Sequence, residues 1–281
     1  MSVKKVAVVG AGTMGEGITQ VVATSGIAVT MIDIVPAKLE KAQVAIRQSV
    51  ERLYRRGSLT EEQMGHVDGI KVSDILSAAA DADIVIEAAT EDPKLKANIF
   101  SELDANTDPD AILATNTSSI SITQIAAATQ RPDKVVGMHF FNPVPLMGLV
   151  EIIRGMLTSN ETMSSVISLS QTLGKTPVDA NDSPGFISNR ILCPMLNEAI
   201  YTLMESVGTA QAIDQVMKLG MNHPMGPLEL CDLIGLDVLL NVMEVLHRDI
   251  GDDKYRPCPL LRKMVAAGNL GKKTGEGFYK Y

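Results

Sequence analysis

Tryptophan is missing from this 281-residue sequence, and aromatic residues amount to only 4% of it. That scarcity argues against a stacking platform for sugars or single-stranded nucleic acid. Positive charge is not in excess: 25 Lys and Arg face 33 Asp and Glu, a formal net charge of −8, which argues against general nucleic-acid binding. Cysteine is sparse. Cys193, Cys231 and Cys258 form no CxxC pair and leave one over for any pairing, so a reducing compartment is expected, without a thiol-based zinc site. No apolar run approaches the length that spans a bilayer. The opening MSVKKVAVVG enters a strand pattern almost at once, leaving no room for a signal or transit peptide, and the closing GFYKY is not a retention tail. The expectation is a cytoplasmic protein with no membrane and no nucleic-acid partner.

What is present is ordinary for a globular chain: 46% hydrophobic and 21% charged residues, with a mean hydropathy of +0.14. The length suits one large or two modest domains. Short β-branched apolar runs alternate with helical patterns through the first half, the rhythm of a mainly parallel α/β sheet. Strands are expected at residues 3–9, 28–34, 84–88, 111–115, 135–140, 149–153 and 176–180, with long helices over 36–56 and 93–106. The texture changes at Asp182-Ser183-Pro184-Gly185, where Ser before Pro reads as a helix start. Beyond it only helical periods follow, to about Gly268. Charge divides at the same place: 15 basic and 22 acidic side chains fall in residues 1–186, against 10 and 11 in 187–281. A Rossmann-type domain over 1–184 and an all-helical domain over 185–281 are therefore expected.

Gly10-Ala11-Gly12-Thr13-Met14-Gly15 fits GxGxxG. It follows a strand and opens a helix, and Asp33 comes 18 residues after Gly15 at the end of the second strand. In that setting Gly10 makes the tight turn, Gly12 admits a pyrophosphate to the backbone, and Gly15 lets helix and strand pack closely. The helix start, with Thr13 and Met14, offers N–H donors and a positive dipole end to phosphates. A purely structural glycine turn is the competing reading. Asp33 suits the ribose hydroxyls of the adenosine half and would repel a 2′-phosphate, and no Arg follows it, so NAD(H) is favoured over NADP(H).

A dehydrogenase acting on an alcohol needs a group to carry the hydroxyl proton. His66 and His247 lie among charged residues, and His223 lies in an Asn-His-Pro turn. His139 differs: it closes the apolar run VVGMHFFNP at the sheet edge where open α/β folds place ligands. Glu151 sits inside another apolar run, LVEII, where a buried carboxylate needs a partner, and the imidazole is the obvious one. A satisfied core His–Glu pair is the structural alternative. Asn116-Thr117-Ser118-Ser119 makes a further strand-to-helix turn, able either to cap the helix or to face a ligand. Asn189 falls early in the helix expected from Ser183.

With GAGTMG, TNTSS, HFFNPVPLMGLVE and SPGFISNR together, the sequence resembles the L-3-hydroxyacyl-CoA dehydrogenase family over its whole length, through LGKKTGEGFYKY. Its length is that of the family's stand-alone bacterial members. The resemblance implies reversible NAD(H)-dependent oxidoreduction of a short-chain 3-hydroxyacyl-CoA, the four-carbon (S)-3-hydroxybutyryl-CoA/acetoacetyl-CoA pair in the first place. It implies His139 as catalytic acid–base, Glu151 as its partner, and Ser118 and Asn189 on the substrate. Glu91, Lys96, Asn116 and Lys273 are implied on the cofactor, and a homodimer through the helical domain. The basic stretch at residues 38–56, with Arg52, Arg55 and Arg56 at its end, suits CoA phosphates, as does a merely solvated helix face. Two other readings stay open: a 2-hydroxyacid or sugar-acid dehydrogenase, which would favour a lysine where Asn189 stands, and a non-catalytic, crystallin-like dinucleotide binder.

Overall fold

Short runs rich in Val, Ile and Ala suit strands covered on both faces. Four such runs become β1 (Lys5–Val9), β4 (Ile84–Glu87), β5 (Ile112–Thr115) and β6 (Val135–Phe140). The outer strands are β2 (Ala28–Ile32), β3 (Lys71–Ser73), β7 (Leu149–Arg154) and β8 (Thr176–Asn181). In the computed structural model, which describes residues 3–281, they form one eight-stranded sheet of order β3-β2-β1-β4-β5-β6-β7-β8. Every neighbouring pair is parallel except β6 and β7, which run antiparallel and set His139 directly opposite Glu151.

Helices α1 (Thr13–Thr24), α2 (Pro36–Arg55), α3 (Glu61–Gly65), α4 (Pro93–Asn106), α5 (Ile122–Ala126) and α6 (Asn160–Thr172) connect the strands. Their starts are chemically marked. Pro36 and Pro93 occupy first-turn positions, Asp92 accepts from Leu95 N, and Thr60 and Gln63 close a capping box. Val8 and Ile86 on the sheet and Ile18 and Val22 on α1 are fully enclosed in one cluster. Each such side chain contributes about 1.5–3 kcal/mol of burial.

The chain divides into two compact units, Met1–Asp182 and Ser183–Tyr281. The second is helical: α7 (Ser188–Met204), α8 (Ala210–Gln215), α9 (Pro227–Ile234), α10 (Leu236–Ile250) and α11 (Pro259–Ala266). Leu196, Ile200, Leu228, Leu239 and Leu246 form its core. Its tail is held by buried Asp232, which accepts from Phe278 N and Tyr279 N at 2.9 Å each. Among the described residues no helix is long and apolar enough to cross a membrane.

The structure departs from expectation in several places, β1 among them, which begins at Lys5 rather than Val3. The first helix of the second unit begins at Ser188 rather than at Ser183-Pro184. Gly185 and Phe186 take φ of 74° and 50°, outside the right-handed helical region, so the Ser-Pro pair makes a turn instead. Strand β2 stops at Ile32, two residues early, because Asp33 turns back toward the glycine loop and Ile34 is exposed. Strand β3 carried no expectation: at the sheet edge, with Lys71 and Val72 exposed, it needs no apolar run.

Candidate active site

The C-terminal ends of β1 and β4 face the loop Gly10–Gly15. Gly10 has φ of 108°, and a Cβ there would stand 2.6 Å from the Ala88 carbonyl oxygen. A Cβ on Gly15 would collide with the Gly10 carbonyl at 1.8 Å, whereas Gly12 has nothing within 4 Å. Two glycines are thus required by the protein's own backbone, and the third keeps a space open. Gly12 is also the N-cap of α1, where no side chain caps the helix, so first-turn N–H groups of Thr13, Met14 and Gly15 remain for an anion. Asp33, just past the end of β2, braces this loop, accepting from Ala11 N at 2.9 Å and Val35 N at 3.0 Å. An open glycine, an uncapped helix start and a carboxylate beside them fit the pyrophosphate and ribose of a dinucleotide.

Further along the same edge, the antiparallel register of β6 and β7 brings His139 and Glu151 together. Nδ1 of His139 lies 2.8 Å from Glu151 Oε2, and its Nε2 lies 3.1 Å from the Ser118 hydroxyl. His139 is 6% exposed and Glu151 2%. With the carboxylate on Nδ1, the neutral ring carries its proton there and leaves Nε2 as an acceptor. Phe141 packs against the imidazole with ring centroids 4.8 Å apart. Asn116 ties β5 to β6, its Oδ1 accepting from Phe140 N at 2.9 Å.

The loop after β5 is fixed from beneath by acids and a lysine. Glu91 Oε1 accepts from Thr117 Oγ1 at 2.5 Å, Ser118 N at 2.9 Å, and Ser119 N and Oγ at 3.1 and 3.0 Å. Lys96 is enclosed at 1% exposure, with its ammonium 2.7 Å and 2.9 Å from the two oxygens of Glu87 and 3.4 Å from Glu91. Glu87 was not singled out from the sequence. The signal was available, since IVIE ends an apolar run on an acid just as LVEII contains one, and a buried carboxylate demands partners.

Among the residues singled out from sequence, the first unit gathers Ser118, His139, Glu151, Asn116, Glu91 and Lys96 into one connected group. It leaves Arg52, Arg55 and Arg56 exposed at the end of α2, with Arg55 paired to Glu51 at 2.5 Å. Burial raises the Glu16 carboxyl in the first turn of α1, an effect opposed by Lys41 and Arg52 nearby. In the second unit Asn189 is the second residue of α7, its Oδ1 3.8 Å from the Cys193 thiol. Lys273 pairs with Asp237.

A mainly parallel sheet with a dinucleotide-ready first turn and a histidine held between a carboxylate and a hydroxyl defines a nicotinamide-dependent dehydrogenase. Comparison with known proteins narrows the class. Residues 5–183 match the model of the 3-hydroxyacyl-CoA dehydrogenase NAD-binding domain, and 185–281 that of the same family's C-terminal domain. The chain is 54% identical over 282 residues to a Bacillus subtilis protein named "Probable 3-hydroxybutyryl-CoA dehydrogenase", covering 100% of this chain and 98% of that one. It is 50% identical to the 3-hydroxybutyryl-CoA dehydrogenase of Bradyrhizobium diazoefficiens, covering 99% and 96%. The crystal structure of (S)-3-hydroxybutyryl-CoA dehydrogenase PaaH1 from Ralstonia eutropha superposes with a TM-score of 0.96 at 51% identity, covering 100% and 99% of the two chains. The chain belongs to the 3-hydroxyacyl-CoA dehydrogenase family. The 2-hydroxyacid and sugar-acid readings fall away with that membership.

Proposed function

We propose that this protein interconverts (S)-3-hydroxybutyryl-CoA and acetoacetyl-CoA, with His139 as the proton carrier and Glu151 as its orienting partner. The observation that carries the assignment of roles is the Ser118–His139–Glu151 chain, with contacts of 3.1 and 2.8 Å at the ligand edge of the sheet. In oxidation, His139 Nε2 takes the 3-hydroxyl proton as C3 gives up its hydride. In reduction, the protonated ring returns a proton to the developing alkoxide. Glu151, on the other ring nitrogen, keeps the tautomer fixed and stabilises the ring when it is positive. Ser118 holds the reacting oxygen against Nε2, and Asn189 is assigned to the substrate's carbonyl end by its SPGFISNR motif. NAD(H), when bound, supplies the hydride acceptor or donor.

Gly10, Gly12, Thr13, Met14, Gly15 and Asp33 are proposed to hold the adenosine diphosphate half. Glu91, with Lys96 buried behind it, and Asn116 and Lys273 complete the cofactor contacts. Arg52, Arg55 and Arg56 are proposed to meet CoA phosphates. Residues 1–184 form the cofactor domain in this reading, and 185–281 the substrate and dimerisation domain of a cytoplasmic homodimer.

Absorbance at 340 nm with acetoacetyl-CoA tests the reading. NADH should be consumed faster than NADPH, because Asp33 opposes a 2′-phosphate. His139→Ala should lower kcat by about 10²–10⁴-fold. Glu151→Gln should lower it less, since the ring remains in place. Silence with both cofactors, in folded protein that still binds NADH, would support the non-catalytic reading.

A further inference from the structure

We propose that Glu87, at the end of β4, is a positioning residue that sets the Ser118 hydroxyl against His139. The inference rests on the proposed contact of Ser118 with substrate. Glu87 is wholly enclosed, and both of its oxygens are engaged. Oε1 accepts from Ala89 N at 2.6 Å and Lys96 Nζ at 2.7 Å, while Oε2 accepts from Lys96 Nζ at 2.9 Å and Thr115 Oγ1 at 2.7 Å.

Two routes lead from this carboxylate to the serine. Along the first, the Thr115 hydroxyl, fixed by donating to Glu87, accepts from Thr117 N at 3.2 Å. Along the second, Lys96 is held by Glu87 with its ammonium 3.4 Å from Glu91, whose other oxygen receives Ser118 N at 2.9 Å and Ser119 N at 3.1 Å. The routes converge on residues 117–119, and the next contact outward is the Ser118 hydroxyl on His139 Nε2 at 3.1 Å.

The fold alone does not call for this arrangement. Taking a carboxylate and an ammonium out of water is costly, and apolar residues of like volume commonly serve stability as well or better. What an apolar pair cannot do is aim hydrogen bonds. Displacement of a reacting group by as little as 1 Å can cost about a hundredfold in rate, so directional anchoring of a short loop between β5 and α5 has a catalytic use.

The test is Glu87→Gln, which keeps the shape and removes the charge, measured alone and combined with Ser118→Ala. The single variant should lose about tenfold to a hundredfold in kcat with acetoacetyl-CoA. In the Ser118→Ala background the same change should cost less than about twofold, because residues acting through one contact are not additive. An equal loss in both backgrounds, or an undiminished kcat in Glu87→Gln, overturns the proposal. Full activity of Ser118→Ala would instead sink the underlying assignment of Ser118, and this inference with it. Should Glu87→Gln fail to fold, Thr115→Val cuts the first route without touching a charge. The same comparison of backgrounds, with a loss of about severalfold expected, then decides.

Discussion

Burial acts on single side chains here in a way that pH can read. Cys193, Cys231 and Cys258 are buried free thiols, and enclosure pushes each of them up, Cys193 to about 12 from an ordinary 9.0. An unfolded chain releases these protons near pH 9, whereas the folded protein holds them. The stabilisation linked to Cys193 is therefore complete below pH 9 and is lost as pH rises toward 12. Urea denaturation at a series of pH values from 7 to 11 should show stability falling on the alkaline side, with a shallower fall in Cys193→Ala. An unchanged slope in the variant would remove Cys193 as the source.

Elements, rather than single residues, place the chemistry. The antiparallel turn from β6 to β7 puts His139 opposite Glu151, and the loop joining them is pinned from outside the pair. Lys175, between α6 and β8, donates to the carbonyls of Val144 at 2.6 Å and Met147 at 2.8 Å. Desolvation pulls its ammonium below the ordinary lysine range. Val144 in turn presses against Gly17 of α1, where an added Cβ would stand 2.8 Å from it, so the loop links the His–Glu hairpin to the cofactor helix. Lys175→Met should leave two carbonyls without this donor and destabilise the protein by about 1–3 kcal/mol, measured by urea denaturation at pH 7. A change within about 0.5 kcal/mol would place the loop's anchorage elsewhere.

Much of this was legible before the structure, for reasons that differ by element. The central strands announced themselves through uninterrupted β-branched runs, and His139 and Glu151 through polarity where such runs allow none. Asp33 and the glycines were legible because their spacing is set by backbone geometry. The Glu87–Lys96 pair was not, because its two members lie on a strand and a helix, and only the return of α4 to the sheet brings the ammonium to the carboxylate. The start of α7 was misjudged since a Ser-Pro pair suits a turn as well as a helix cap, and the positive φ values that decide between them belong to the following two residues.

At the scale of the whole molecule, the second unit keeps an apolar surface that its own core does not use. Val207, Val216, Leu219 and Met221 are 60–85% exposed. A groove of about 490 Å³ opens among Met195, Ala199, Val207, Ile213, Val216 and Met217. Scattered exposed leucines mean little, but an apolar groove flanked by exposed aliphatic side chains marks an interaction face. In this part of the chain charge is nearly balanced, with 10 basic and 11 acidic side chains over residues 187–281, so little long-range repulsion opposes a second copy there. The proposed homodimer would cover this face, and an interface of the usual kind needs roughly 800 Å² from each partner. Light scattering should give about twice the 30.1 kDa chain mass at micromolar concentration. Val216→Glu with Leu219→Glu should shift the mass to that of one chain, because a carboxylate buried against apolar side chains costs several kcal/mol. A mass still twice that of one chain in the double variant would place the dimer contact on another face of the helical unit, and a wild-type mass of one chain would remove the dimer altogether.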